Sequence, residues 1–300
     1  MLNRREILTT SLAAVVGLAV SPAVAATTRR FDAGDRLRSL ETGQARLGVC
    51  FLDTGSGELS GCRMNERFAM CSTFKLALVA ACLREADQGR LDLAEVLAYS
   101  QADLLDWAPV TRANLSGGGM SIAALAQAAQ EQSDGTAANL LTRRLGGPEG
   151  VTAKIRAMGD TETRLDRYEP DLGLVLSADL RDTTTPVAMA QLVGRITTGD
   201  LLHSDSRDRL LEWMRNTRTG LDRLRAGLPA EWNSGDKTGT GRAEGTTNKC
   251  NDVAITFPPG RSPIVIAAYF DSGEYTPQTE ARHEAVVAEV GRIAAQWAVG

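Results

Sequence analysis

The chain has 300 residues, of which 43% are hydrophobic and 23% are charged, and its formal net charge is −4. This length is sufficient for a large core in one or two subdomains. The slightly acidic balance gives no electrostatic basis for nucleic-acid binding, and the sequence has no basic stripe with interleaved aromatic residues. Beyond the N-terminus, the sequence has no long uncharged apolar run that would predict a membrane-spanning helix.

The N-terminal residues 1–25 have the pattern of an export signal. Arg4-Arg5 forms a short basic region, residues 7–20 are mostly apolar, and Ala23-Val24-Ala25 fits a cleavage site of small residues. The adjacent arginines resemble a twin-arginine signal, and a general secretory signal is the alternative. Both alternatives predict export to the periplasm or the medium, a mature chain that begins near Ala26, and no stable membrane anchor.

Strand patterns lie at both ends of the chain and helical patterns lie between them. Residues 46–52 and 58–63 flank a Gly-Ser turn and predict a hairpin. Further strands are predicted at residues 234–240, 252–257 and 264–270. A helix-like stretch at 32–44 precedes the first strand, and an amphipathic helix at 279–297 closes the chain. Short connections between strands predict an antiparallel sheet that the first and last helices cover.

The middle of the chain, from Ser72 to about Trp213, has a largely helical pattern. The predicted helices are 72–88, 121–130, 136–145, 151–158 and 185–197. A helical lobe beside a sheet lobe predicts a cleft between them, which is the natural position for a site.

The tetrapeptide Ser72-Thr73-Phe74-Lys75 opens an apolar segment and predicts a buried helix that begins near Ser72. Residues i and i+3 share one face of a helix, so Lys75 is expected beside Ser72. A serine hydroxyl is a poor nucleophile until a base accepts its proton. The N-terminus of a helix also favours developing negative charge. An ordinary solvated lysine is the alternative interpretation of this motif by itself.

Three further clusters lie at the boundaries of predicted elements. Ser133-Asp134-Gly135 separates two helices, and Arg167-Tyr168-Glu169-Pro170-Asp171-Leu172 lies in a long irregular stretch that ends near Asp182. Lys237-Thr238-Gly239-Thr240-Gly241 lies on a predicted strand, where glycines allow a ligand to approach the backbone closely. A helix cap, a surface loop and an edge strand are the structural alternatives. The joint occurrence of these clusters after an S-x-x-K motif favours a catalytic site.

The cysteines and histidines limit the chemistry. The five cysteines are Cys50, Cys62, Cys71, Cys82 and Cys250. An odd number in an exported protein leaves at least one free thiol, and the absence of a C-x-x-C pair makes a zinc site unexpected. With only His203 and His283, neither a histidine-rich metal site nor a Ser-His-Asp triad is predicted. Cys71 is interpreted as a packing residue behind Ser72. We therefore expect no metal and no organic cofactor.

Together these motifs resemble those of the class A serine β-lactamases, within the penicillin-recognising serine hydrolases. The resemblance covers essentially the whole chain after the signal, residues 26–300. It implies a two-lobed α/β (α+β) fold, with a sheet lobe at about 26–68 and 215–300 and a helical lobe at about 69–214. It also implies a monomeric hydrolase that opens the β-lactam amide of penicillins and cephalosporins and confers resistance to them.

The resemblance implies a role for each of five side chains. Ser72 would attack the lactam carbonyl and become acylated. Lys75, Glu169 acting through water, or both together would accept its proton. Ser133 would pass a proton to the departing lactam nitrogen, and Lys237 close by would tune Ser133.

The substrate-binding residues are also implied by the resemblance. Backbone N–H groups of Ser72 and Thr240 would form the oxyanion hole. Thr238, Thr240 and Arg223 would hold the substrate carboxylate, and Trp107 would form a wall at the mouth of the cleft. The other implied residues on the substrate side are Gly135, Asn139, Gly173 and Gly239.

The loop that carries Glu169 has its own implied supports. Asn139 would hold the loop near Glu169, and an ion pair between Arg167 and Asp182 would close its base. This carboxylate distinguishes a hydrolase from two rivals, a D-alanyl-D-alanine peptidase and a penicillin-binding sensor domain. The peptidase releases the acyl group derived from penicillin very slowly and the sensor traps it, whereas a carboxylate that activates water allows turnover.

The sequence departs from the family at three glycines. The family usually has asparagine at Gly135, which contacts the amide of the antibiotic, and asparagine at Gly173, next to the deacylating water. In carbapenem-hydrolysing relatives, the counterpart of Cys71 bonds a cysteine at the position of Gly241, so that bridge cannot form here. A proximity of Cys50 and Cys250 on neighbouring strands is left open.

Overall fold

The computed structural model describes residues 32–176 and 178–300, and these belong to one compact unit. The predicted export signal and the predicted start of the mature chain at Ala26 lie outside the described residues. Within the described ranges, no helix is both long enough and apolar enough to cross a membrane.

The strands of the main sheet lie toward both ends of the described chain, and most helices lie between them. The helices are α1 (Ala33–Arg38), α2 (Phe74–Asp87), α3 (Pro109–Ala113), α4 (Ile122–Glu131), α5 (Gly135–Arg144), α6 (Gly147–Ala157), α7 (Pro186–Thr198), α8 (Ser204–Arg215), α9 (Leu224–Gly227) and α10 (Ala281–Val299). The strands are β1 (Arg46–Asp53), β2 (Leu59–Cys62), β3 (Phe68–Ala69), β4 (Val96–Ala98), β5 (Gly119–Ser121), β6 (Thr183–Thr184), β7 (Gly235–Gly241), β8 (Lys249–Thr256) and β9 (Ile264–Asp271).

The main sheet has five antiparallel strands in the order β2-β1-β9-β8-β7. The predicted fold class, an antiparallel sheet with flanking helices and a helical region, is therefore confirmed. Cys50 of β1 pairs with Ala267, and Cys250 of β8 pairs with Phe270, so β9 separates the two cysteine-bearing strands. All five cysteines are buried and free, which answers the open question about Cys50 and Cys250.

Both faces of this sheet are buried, so β1 and β9 are apolar apart from the charged residues at their ends, Arg46, Asp53 and Asp271. In β9, Ile264 and Ile266 face the cluster formed with α1 and α10, whereas Val265 and Ala267 face the cluster formed with α2 and α7. This alternation follows the two-residue period of a strand. The terminal helices thus cover one face of the sheet, as predicted, and α7 covers the other face.

Helix α2 is the centre of the helical region. Eleven of its fourteen residues are buried, which explains why its sequence is apolar on all sides rather than amphipathic. Helices α4, α5, α6, α7 and α8 pack around it. Because α2 is enclosed in this way, the residues at its N-terminus are held in fixed positions.

Some predicted boundaries were wrong, and each has a local cause. The first helix ends at Arg38 rather than at Gln44, because a turn follows in which Gly43 has a φ of 60°. The helix predicted from Ser72 begins as a 3-10 turn, Cys71–Thr73, and becomes α-helical at Phe74. Helices α3, α8 and α9 and the two small sheets, β3-β6 and β4-β5, were not predicted.

Candidate active site

The turn that carries Ser72 is strained and firmly held. Cys71 has a φ of 47°, a left-handed conformation that is uncommon for residues other than glycine. The Asn251 side chain donates hydrogen bonds to the carbonyl oxygens of Ala69, at 2.8 Å, and Met70, at 3.2 Å. These contacts from β8 fix the chain just before the turn, so Ser72 has a defined position at the start of α2.

Ser72 contacts both groups that could accept its proton. Its Oγ donates to Oε1 of Glu169 at 3.2 Å and accepts from Nζ of Lys75 at 3.0 Å. The Lys75 ammonium also lies 2.9 Å from Oε1 of Glu169. The side chain of Lys75 is only 2% exposed, and a buried charge of this kind is tolerated when it is paired and hydrogen-bonded.

Two buried lysines converge on Ser133. Lys237 Nζ donates to Ser133 Oγ at 3.0 Å, and Lys75 Nζ lies 3.3 Å from the same oxygen. Ser133 has a φ of 57°, so it shares the strained left-handed backbone of Cys71. Asp134 holds this segment, because its carboxylate caps α5 at Ala137 and accepts hydrogen bonds from Thr111.

The charge of Lys237 is marginal near neutral pH. Burial, reinforced by the neighbouring charge of Lys75, lowers the pKa of Lys237 to about 7. Two buried carboxylates on β7 and β8, Asp236 and Asp252, oppose this effect. Burial also raises the pKa of Asp252, to about 6, and that of Asp236. The site therefore contains several groups whose ionisation is displaced toward neutral pH, as is typical of active sites.

The loop around Glu169 is held from both ends. The Asn139 side chain donates to the Glu169 carbonyl oxygen at 2.9 Å and accepts from the Glu169 N–H at 3.0 Å. The expected ion pair is present, with Arg167 Nε 2.6 Å from the fully buried Asp182 carboxylate. The peptide bond between Glu169 and Pro170 is cis. The contacts of Asn139 and the ion pair of Arg167 with Asp182 position the Glu169 carboxylate against Ser72.

Strand β7 approaches the Ser72 turn closely because position 239 is glycine. A Cβ at Gly239 would lie 2.7 Å from the Met70 carbonyl oxygen and 3.1 Å from the Thr73 nitrogen, which is closer than packing allows. The sequence predicted that this glycine admits a ligand, whereas in the structure it admits the Ser72 turn. Since β7 is the edge strand of the sheet, its outer backbone edge is open on the side of Thr238 and Thr240.

Arg223 supports β7 from behind. Its guanidinium donates to the Thr240 hydroxyl at 2.8 Å and to the carbonyl oxygens of Gly239 and Asn251 at 3.1 and 3.0 Å. Its Nε lies 3.3 Å from Glu284. Arg223 is 4% exposed. Most of its donors are therefore occupied within the protein.

A cleft of about 790 Å³ opens over these groups. Of the predicted site residues, the cleft is lined by Ser72, Lys75, Trp107, Ser133, Gly135, Glu169, Arg223, Thr238 and Thr240. Asn139, Gly173, Lys237 and Gly239 do not line it. Asn139, Lys237 and Gly239 support lining residues from behind: Asn139 holds Glu169, Lys237 holds Ser133, and Gly239 lets the Ser72 turn pack against β7.

Several lining residues were not predicted. These are Leu104, Leu105, Asp106, Gln132, Pro170, Arg218, Thr219, Gly220, Arg242 and Thr279. The Thr219 hydroxyl lies 2.6 Å from that of Thr238, and Arg218 precedes it. No motif marks Arg218 or Thr219, because they reach the cleft only through the packing of the α8–α9 connection against β7.

The two glycines where the family usually has asparagine differ in their surroundings. A Cβ at Gly135 would lie 3.0 Å from Leu105 Cδ1 and 3.2 Å from the Trp107 carbonyl oxygen, so the space is tight. A Cβ at Gly173 would have no heavy atom within 4 Å. Gly241 lies opposite Cys71, since a Cβ there would lie 2.9 Å from the Cys71 Sγ.

Comparisons with known proteins agree with this geometry. The model of the Beta-lactamase enzyme family matches residues 33–298. The chain is 41% identical to Beta-lactamase AST-1 of Nocardia asteroides, over 97% of this chain and 94% of that protein. It is also 41% identical to the carbapenem-hydrolyzing beta-lactamase KPC of Klebsiella oxytoca, over 83% of this chain and 82% of that protein.

A solved structure gives the same result. The chain aligns with an ancestral (GNCA) class A β-lactamase with a TM-score of 0.82 and 46% identity, over 88% of this chain and 99% of that one. The fold and the pairing of a serine with a buried lysine define a serine hydrolase of the acyl-transfer type. The chain belongs to the class A β-lactamases, enzymes that hydrolyse β-lactams.

Proposed function

We propose that the protein hydrolyses penicillins and cephalosporins through an acyl-enzyme on Ser72. The observation that carries this proposal is the contact of Ser72 Oγ with both Lys75 and Glu169. A lysine ammonium has donors only, whereas the Glu169 carboxylate accepts the hydroxyl hydrogen bond. This direction favours Glu169 as the group that takes the Ser72 proton while Oγ forms its bond to the lactam carbonyl carbon.

Ser133 is the proposed donor to the lactam nitrogen when the C–N bond breaks. A hydroxyl has one O–H donor and two lone pairs. The lone pairs of Ser133 face the ammonium groups of Lys237 and Lys75, so its proton is left to point into the cleft. A lysine then replaces the proton that Ser133 gives up. This arrangement supports a proton relay rather than a nucleophilic role for Ser133.

The oxyanion hole and the carboxylate site are proposed along β7. The close approach at Gly239 brings the backbone of Thr240 beside Ser72, which suits two N–H groups that share one oxyanion. The Thr240 hydroxyl accepts from Arg223, so its own proton is free to donate to a substrate carboxylate. Arg223 thus acts on the substrate mainly through Thr240, and Thr238 supplies a second hydroxyl.

Glu169 is proposed to activate the water that releases the acyl group. Asn139 fixes the backbone of Glu169 from both sides, so the carboxylate has a constant position relative to Ser72. The two rivals, a D-alanyl-D-alanine peptidase and a sensor domain, do not hydrolyse the acyl group derived from a β-lactam at a useful rate, so neither needs such a group. The contact between Glu169 and Ser72 therefore favours the hydrolase over both rivals.

The test compares turnover and acylation in the protein and its Glu169→Gln variant. The unchanged enzyme should turn over a chromogenic cephalosporin many times. The variant should lose about 10²–10⁴-fold in kcat, the usual contribution of a general base. Because Lys75 also contacts Ser72 Oγ, acylation should slow less than deacylation, and an adduct on Ser72 that mass spectrometry detects should accumulate. One turnover followed by a stall in the unchanged enzyme would favour the peptidase. An adduct stable for hours in that enzyme would favour the sensor.

We also propose that the protein is exported to the periplasm or the medium by the twin-arginine or the general machinery and confers β-lactam resistance. The sequence of residues 1–25 supports export, and the mature chain would divide into the sheet lobe and the helical lobe predicted above. A single chain supplies every proposed site residue, which supports a monomer. Replacement of Arg4-Arg5 by Lys-Lys should abolish export if the signal is of the twin-arginine type.

A further inference from the structure

Arg223 and Arg218 both line the cleft but differ in how far the protein itself uses their guanidinium groups. Arg223 is buried and donates to Thr240, to two backbone carbonyl oxygens and to Glu284. A guanidinium has five N–H groups, and these four contacts occupy four of them. Arg218, in contrast, is exposed and lines the cleft. Its side chain has no partner among residues 32–176 and 178–300.

The backbone of Arg218 is nevertheless fixed. Its N–H donates to the Glu131 carbonyl oxygen at 2.8 Å. The hydroxyl of the next residue, Thr219, lies 2.6 Å from the hydroxyl of Thr238. Arg218 therefore lies beside Thr238, in the middle of β7, next to one of the two hydroxyls proposed to hold the substrate carboxylate.

Two other exposed charges line the cleft and must be considered with Arg218. Arg242 follows the last residue of β7 and also has no side-chain partner in the described part of the chain. It lies four residues beyond Thr238, about 13 Å along a strand, just past the C-terminal end of β7. Asp106 is an exposed carboxylate beside Trp107 and acts against anions in the cleft.

We propose that Arg218 is a specificity-determining residue that binds an anionic substituent on the leaving side of the β-lactam, beyond the ring carboxylate. This inference rests on the proposed function, in which Thr238 and Thr240 hold the ring carboxylate. A group attached next to that carboxylate, such as the C3 substituent of a cephalosporin, extends past Thr238 toward Arg218. A negative charge on this substituent would form a charge-assisted hydrogen bond with the free guanidinium, and a positive charge would be repelled.

The experiment uses three cephalosporins that differ at C3. Two share one acyl side chain and carry a C3 tetrazole with either a methyl or a sulfomethyl group, and the third carries a cationic C3 pyridinium. In Arg218→Gln, kcat/KM for the sulfonate relative to the methyl compound should fall about three- to fivefold, the effect of one partly exposed ion pair. In the same variant, kcat/KM for the pyridinium compound should rise relative to kcat/KM for the methyl compound.

Two matched variants distinguish a direct contact between Arg218 and the substituent from a general electrostatic effect of positive charge on the protein. Arg242→Gln removes the same charge from a cleft residue just past the C-terminal end of β7, and Arg209→Gln removes it from the exposed surface of α8, outside the cleft. Neither change should alter the sulfonate-to-methyl ratio by more than about a third of the Arg218 effect, because exposed charges about 10 Å apart are largely screened at 0.1 M salt. Equal ratios in all three variants would overturn the proposal.

Salt gives a second readout on the unmodified enzyme. The preference for the sulfonate should decline as the salt concentration is raised, since a partly exposed ion pair is screened. A ratio that is unchanged both by salt and by Arg218→Gln would overturn the role of Arg218. The methyl compound would still be hydrolysed in that case, so failure of this inference is distinct from failure of the proposed function.

Discussion

Gly135→Asn restores the side chain that the family usually has at the cleft, and the structure permits an estimate of its effect. A Cβ at this position would meet Leu105 Cδ1 at 3.0 Å and the Trp107 carbonyl oxygen at 3.2 Å. The Leu105 side chain can rotate away, whereas the Trp107 oxygen is backbone and accepts from the Gly135 N–H at 2.9 Å. The substitution therefore requires a shift of a few tenths of an ångström, mainly by Leu105.

The effects on stability and on activity have different sizes. Replacing glycine at a compatible helical position stabilises a protein by about 0.4–1 kcal/mol through the unfolded state, which offsets the displacement of Leu105. Stability should therefore change little. An asparagine amide that bonds the acylamino group of a substrate contributes about 0.5–1.5 kcal/mol, which corresponds to roughly two- to tenfold in kcat/KM.

The assay compares two substrates and two variants. Benzylpenicillin carries the acylamino group, and 6-aminopenicillanic acid has the same nucleus without the acyl group. In Gly135→Asn the ratio of their kcat/KM values should rise about two- to tenfold, while Gly135→Ala, which adds only the Cβ, should leave the ratio unchanged. If the alanine variant matches the asparagine variant, or if both substrates gain equally, the reasoning about the missing amide is refuted.

Two further predictions concern the groups around Ser72. Because the pKa of Lys237 is lowered to about 7, its ammonium is lost as the pH rises, and kcat/KM should decline above about pH 7. Lys237→Arg keeps its charge at high pH, so it should move this decline to higher pH. A flat wild-type profile of kcat/KM from about pH 6 to about pH 9 would contradict this reasoning. Gly241→Cys should form a disulfide with Cys71, since its Cβ would lie 2.9 Å from the Cys71 Sγ, once Lys249 moves aside. Thiol titration in denaturant should then find one thiol fewer than the five of the parent, and a count above five would exclude the bridge.

The sequence predicted the main elements because their patterns are local. The apolar runs of β1, β9 and α2 reflect burial on every face of these elements. Strand order is a property of the whole chain, and this explains why the relation between Cys50 and Cys250 was left open. Only the insertion of β9 between β1 and β8 decides it. Short helices such as α9 have too few residues for a periodic signal, so tertiary contacts determine them.

The site was predicted to the extent that its residues lie in motifs. Ser72, Lys75, Ser133 and Glu169 converge as the resemblance implied. The role of Gly239 was interpreted differently, because a glycine on a strand indicates close approach but does not say what approaches. Arg218 does not lie in any of the motifs. Its position depends on the packing of a connection between helices, which sequence patterns do not encode.

The two buried lysines around Ser133 differ in how the protein compensates their charge. Two lysines, 1% and 0% exposed, contact one hydroxyl, an arrangement that repulsion and desolvation both disfavour. Glu169 compensates Lys75 directly, whereas Lys237 has no carboxylate within ion-pairing distance in the described residues and relies on Asp236 and Asp252 at longer range. Lys237 therefore lacks a direct counter-charge. A substrate carboxylate at Thr238 and Thr240 would supply the missing counter-charge, so substrate binding itself should hold Lys237 in its ionised form. In that case the basic limb at about pH 7 belongs to kcat/KM, which reports the free enzyme, and the limb of kcat lies at higher pH.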